Sequence, residues 1–148
     1  MAIRNIVKDG DPILRKKSRL VTDFDSKLSR ILDDMLETMK RADGVGLAAP
    51  QIGFLRRFAI CELKSNELLE IVNPEILEKS GEQIGPEGCL SCPKRSEDVL
   101  RPKRIKLKYQ DRYGNEHIRE LEDFDAVVVS HETDHLDGIL FYDKAVTK

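Results

Sequence analysis

The chain has 148 residues, of which 40% are apolar and 35% charged, and 25 Lys plus Arg against 27 Asp plus Glu leave a formal charge of −2. One globular domain over 1–148 is expected at this length, with too much hydrophobicity for disorder and no apolar run long enough to cross a bilayer, so no membrane association is expected. The near balance of charge offers no field for a polyanion and aromatics are only 5%, so nucleic-acid binding is disfavoured as the main function.

At the N-terminus, MAIRNIVKDGDPILRKKS has charges interrupting every apolar stretch, which leaves no secretory signal and points to the cytoplasm. Asp11-Pro12 reads as an N-cap followed by proline at the first helical position, opening one short turn before Ser18. Leu28, Ile31, Leu32, Met35, Leu36 and Met39 recur with the helical period and predict an amphipathic helix over about 25–41. Asp43 to Gly53, with three glycines and a proline in eleven residues, reads as extended or turning backbone.

Short β-type runs follow at 57–63, 69–72 and 105–109, the last pairing with 117–121 across the turn residues Asp111 to Asn115. His117 then faces solvent in a charged strand. A second helix is predicted over 124–136, with Asp123 as N-cap and Gly138 as terminator. The expected fold is α+β: a mainly antiparallel sheet packed around this second helix, with the amphipathic helix near the N-terminus.

The second helix carries His131-Glu132-Thr133-Asp134-His135, an HExxH pattern. Residues four apart share a helical face with Cβ atoms about 5–6 Å apart, so both imidazoles can address one metal ion. Glu132, one residue around the helix, can reach a water on that ion, and this is hydrolase machinery. Two solvent-facing histidines are the bland alternative, but Val127, Val128 and Val129 immediately before the pair indicate a buried helix. The pattern of zinc proteases with a third histidine beyond a glycine fails, because Phe141 stands there, and no glutamate follows Glu132. A third ligand must come from upstream or from Asp137 or Asp143, and Asp137 is poorly placed on the same turn. Upstream, the segment Glu87 to Pro93 offers a thiolate, which with two imidazoles suits zinc or ferrous iron. Three cysteines in all (Cys61, Cys89 and Cys92) are too few and too odd in number for a disulfide framework.

Three segments together resemble the peptide deformylase family. Gly44 to Gln51 matches its GxGLAAxQ motif, Glu87 to Ser91 its EGCLS motif and His131 to His135 its HExDH motif, in the same order and with similar spacing. The resemblance, which extends from about Asp11 to Asp143, implies metal-dependent hydrolysis of the N-formyl group of N-formylmethionyl nascent peptides, releasing formate. It implies Cys89, His131 and His135 as ligands of one divalent ion, ferrous iron in the family, with zinc, nickel or cobalt able to satisfy the same set. Glu132 is implied as general base and then acid, and the Gln51 amide with the Leu90 backbone N–H as the oxyanion-stabilising pair. Gly44 and Gly46 are expected to let a substrate strand lie against bare backbone, with a tight turn as the alternative. Val45, Leu90, Val127 and Val128 are expected around the methionine side chain, or simply in the core.

Two positions depart from the family: Ser130 where glutamine is usual, and Cys92 where Val or Ile is usual. Some members carry a further C-terminal helix for ribosome docking, so any transient ribosome contact here is expected through another surface. Two other readings remain: an amide hydrolase for a different small acyl group, and a closed structural zinc site of Cys89, Cys92, His131 and His135. The second gives no role to Glu132 or Gln51 and spans 38 residues between Cys92 and His131. Alternation along an extended Glu87 to Ser91 segment would also send Cys89 and Cys92 to opposite sides.

Overall fold

The computed structural model describes residues 2–146. Asp11 accepts a hydrogen bond from the Ile13 N–H and, with Pro12, opens a single 3-10 turn, Pro12–Arg15. Helix α1, Ser26–Arg41, starts where the Asp25 carboxylate accepts from the Leu28 N–H at 3.0 Å, and it ends with Lys40 and Arg41 against the negative end of the helix dipole. Its buried face includes Leu28, Ile31, Leu32, Met35 and Met39.

Five strands form one antiparallel sheet: β1 (Gly46–Ala48), β2 (Phe58–Glu62), β3 (Leu68–Ser80), and, beyond a separate ribbon, β6 (Arg104–Gln110) and β7 (Glu116–Glu122). Their order is β1-β2-β3-β6-β7, and β6 pairs with β7 in the register Ile105↔Leu121 and Tyr109↔His117. In β2 the side chains alternate between two cores. Phe58 and Ile60 join Leu32, Met35 and Met39 of α1, whereas Ala59 and Cys61 join Val128, Val129 and Leu136 of the second helix. The sheet therefore lies between the two helices, and both of its faces are apolar along β2.

The fold is thus a mixed α and β arrangement, but its strands make two antiparallel sheets rather than one. The separate ribbon consists of β4 (Gln83–Cys89) and β5 (Cys92–Arg101), which pair with each other. Helix α2, Phe124–Leu136, packs against β1 and β2 and also against β5. Enclosed in this way, it buries six consecutive residues, Val128 to Thr133. The Asp123 side chain makes no cap hydrogen bond to α2; it pairs instead with Lys103 at 2.6 Å, and Asp123 itself takes φ 56°. Gly138 does end the helix, with φ 74°, where a Cβ would press on the Arg15 backbone.

Candidate active site

The ribbon delivers Cys89 to α2. Its chain reverses at Leu90-Ser91, so that Cys89 and Cys92 become direct cross-strand partners. Opposed residues of an antiparallel pair put their side chains on the same face, which corrects the alternation argument: a hairpin turn, not an extended segment, separates the two cysteines. Three anchors hold this turn in place. The Gln51 Nε2 donates to Ser91 Oγ at 3.0 Å, the Asp9 N–H donates to the Ser91 carbonyl at 2.8 Å, and Lys8 Nζ donates to the Leu90 carbonyl at 3.3 Å.

Cys89, His131 and His135 then converge, with one ligand atom from each lying within 4.8 Å of the others. Cys89 Sγ is 3.4 Å from His135 Nε2, and the two imidazole rings are 5.0 Å apart at 62°. Cys92 is not part of this group. It is buried with Val99 and Phe141, and burial, together with the neighbouring Cys89, pushes its thiol up to about 12. The four-ligand closed site is therefore not assembled.

Behind the histidines stands a buried charge network. His131 Nδ1 lies 3.0 Å from Glu87 Oε1, and Arg101 binds both oxygens of Glu87 at 2.8 Å while reaching Asp134 at 2.6 Å. Nδ1–H donation to Glu87 fixes the ring and leaves Nε2 for a ligand role. Burial opposes ionisation of Glu87, but Arg101 and His131 overcome it and hold the carboxyl at about 2. Neither Glu87, Arg101 nor Asp134 has a role in the sequence reading above. The register that puts Glu87 and Arg101 together with α2 depends on the hairpin, which no periodicity marked.

The electrostatics suit a cation. Burial works against a charge on His131, yet Glu132, Cys89 and Glu87 outweigh it and raise its pKa to about 10. Burial lowers the pKa of His135, helped by His131 and Arg101, which favours a neutral imidazole. A site that draws a proton onto a buried imidazole, with a thiol and a neutral imidazole beside it, fits a thiophilic divalent ion.

Glu132 is 4% exposed, and burial raises its carboxyl to about 7 against the pull of His131 and Arg101. Its Oε2 lies 3.9 Å from His131 Nε2, and its Oε1 has no hydrogen-bond partner among the described residues. A carboxylate with that pKa in that place suits proton transfer near neutrality. Gly46 explains how it fits: a Cβ there would meet Glu132 Cδ at 2.7 Å. At Gly44 a Cβ would meet the Leu90 side chain at 2.6 Å. Both glycines make room for the protein's own side chains and also line the adjoining cleft, and neither has the positive φ of a tight turn.

A cleft of about 360 Å³ opens over this group, lined by Val45, Leu90, Phe124, Val127 and Val128 along with Cys89, His131 and Glu132. Phe124 was not expected there; it starts α2, and helix periodicity gave it no special place. Gln51 lies behind the cleft wall, 1% exposed, with Oε1 accepting from the Ala48 N–H at 2.9 Å and Nε2 within 3.5 Å of Cys89 Sγ.

A thiol, two imidazoles and a buried carboxylate along an apolar cleft are the kinds of group that a metallohydrolase uses. The polypeptide deformylase family profile matches residues 3–148. A peptide deformylase of Caldanaerobacter subterraneus subsp. tengcongensis is 52% identical over 148 residues, covering 99% of this chain and 91% of the relative. One from Clostridium botulinum is 47% identical with full coverage of both chains. The crystal structure of peptide deformylase from Thermotoga maritima superimposes with a TM-score of 0.97 at 42% identity, covering 99% of this chain and 100% of that one. The chain belongs to the polypeptide deformylase family, and its activity is removal of the N-formyl group from new polypeptides.

Proposed function

We propose that Cys89, His131 and His135 hold one ferrous ion and that Glu132 carries the protons of deformylation. The observation behind this reading is the convergence of three ligand atoms within 4.8 Å beside a buried carboxylate, Glu132, whose Oε1 has no hydrogen-bond partner among the described residues. A divalent ion held by Cys89, His131 and His135 would supply Lewis acidity, which typically lowers the pKa of water to about 7. Glu132 takes a proton from the attacking water on its carboxylate. It later gives the proton to the departing amine, as the C–N bond breaks and formate leaves with the new C–O bond.

The Gln51 Nε2–H beside Cys89 and the Leu90 N–H donate to the oxygen of the formyl group as negative charge builds on it. The Ala48 N–H donates to the Gln51 carbonyl, and the Gln51 amide donates to Ser91 Oγ and, at 3.5 Å, to Cys89 Sγ, which fixes the amide beside Cys89. Val45, Leu90, Val127 and Val128, with Phe124, enclose the methionine side chain. The whole of 1–148 acts as one such domain in the cytoplasm on N-formylmethionyl nascent peptides, with transient ribosome contact. Among the described residues no helix is long and apolar enough to cross a membrane.

The test is anaerobic purification, metal analysis and formate release from formyl-Met and acetyl-Met peptides. One equivalent of iron and turnover of the formyl peptide alone are expected. Bound zinc only, or equal turnover of the acetyl peptide, would refute the metal or the substrate assignment respectively.

A further inference from the structure

We propose that Cys89 and Cys92 constitute a dithiol modification site, which peroxide converts to an intramolecular disulfide. Four observations lead there. The two residues are Cα partners at the end of the β4-β5 ribbon. Opposed antiparallel residues have Cα atoms about 4.5–5.5 Å apart, inside the roughly 4.4–6.8 Å that a disulfide bridges. Both thiols are free, and Cys89 packs against the buried cluster that contains Cys92. The intervening turn is pinned by Gln51, Asp9 and Lys8, so the register that opposes them is held.

Access is unequal, and this sets the order of events. Cys89 is half-buried and lines the cleft, whereas Cys92 is 5% exposed and packed behind it against Val99 and Phe141. A small oxidant entering the cleft meets Cys89 first. Cys61 is fully buried in the core between the sheet and α2 and does not line the cleft.

In the first step the Cys89 sulfur attacks hydrogen peroxide. An S–O bond forms, the O–O bond breaks, and one water leaves; Cys89 is oxidised by two electrons to the sulfenic acid and the peroxide is reduced by the same two. In the second step Cys92 Sγ attacks Cys89 Sγ. The S–S bond forms, the S–O bond breaks, and the hydroxide leaves as water with the proton of Cys92. Two thiols and one peroxide thus give one disulfide and two waters, and a dithiol reductant reverses the bond by exchange. Cys89 is removed from the ion and at the same time protected from further oxidation. Loss of metal rests on the ligand reading given above; formation of the bond does not.

The experiment treats the purified metal-loaded protein with one equivalent of hydrogen peroxide. Free thiols, intact mass, peptide linkage and bound metal are then read before and after dithiothreitol. Wild type is expected to lose two of its three thiols and two hydrogens of mass, with a Cys89–Cys92 linked peptide. Dithiothreitol should restore the thiols. Cys92→Val, and Cys92→Ser as a second variant in case packing suffers, should instead gain oxygen at Cys89 and, beyond the sulfenic state, fail to recover. Oxygen addition to wild-type Cys89 without a linked peptide, or equal recovery of both Cys92 variants and wild type, overturns the proposal. A disulfide that forms while the metal stays bound supports the site and removes Cys89 from the ligand set instead.

Discussion

Gly46→Ala is a small change with a calculable effect. The residue pairs with Cys61 in the β1-β2 ladder at ordinary φ, so alanine meets no backbone strain. Its Cβ would stand 2.7 Å from Glu132 Cδ and 3.0 Å from Cγ, and ordinary contact begins at 3.4 Å. Glu132 Oε2 lies closer still, so the carboxylate must retreat by about 1 Å or more, and a misplacement of about 1 Å at a reacting group can cost roughly 10²-fold in rate. Glu132 is the flexible end of a side chain, so the backbone need not move and the fold should survive. Circular dichroism and metal content should match wild type, while kcat for formate release falls by about 10². A raised KM with unchanged kcat would refute this reasoning and return Gly46 to the role of bare backbone for a substrate strand.

Glu132→Gln keeps shape and metal but cannot accept the proton, so formate release should fall by at least about 10²–10⁴; near wild-type turnover would remove Glu132 from the mechanism. Gln51→Ala should lower kcat by about 10²–10³ with little change in KM, since its amide meets charge only in the transition state, and a pure KM effect in steady-state assays would make it a binding residue. Cys89→Ala should abolish stoichiometric metal binding, while Cys92→Val, kept reduced, retains it; elemental analysis of the pair decides whether Cys92 is a ligand. Glu87→Gln leaves Arg101 short of its main countercharge and loosens His131, so metal affinity should drop by about 10–100-fold in a chelator competition. Unchanged affinity would confine Glu87 to a structural ion pair.

How much of this was legible depends on how local each signal is. The α1 stripe could be read because only one side of that helix is covered, and Leu28 to Met39 fall on that side. Helix α2 has no such stripe because Val128 to Thr133 are all buried, and there the histidine spacing and the glycine stop carried the reading. The β6-β7 hairpin was visible through its alternation and turn residues. The β4-β5 ribbon was not, since Gly85, Pro86 and Gly88 interrupt β4 and the register shifts between Glu87 and Cys89. Everything that depends on that ribbon was hidden with it: the opposition of Cys89 and Cys92, and the meeting of Arg101 with Glu87.

That dependence explains why buried charge is tolerated beside Cys89, His131 and His135. Arg101 and Glu87 have side chains only 2% and 7% exposed, and breaking such a buried pair typically costs about 3–5 kcal/mol. An apolar pair could fill the same space, but it could not accept the Nδ1–H of His131 or set the direction of its Nε2. The two strands of the ribbon supply the carboxylate and the guanidinium, and α2 supplies the imidazole and Asp134. Misregister of the ribbon would leave Arg101 buried without Glu87 and displace Cys89 together with it. The same ion network that orients His131 therefore penalises any register in which Cys89 is out of place.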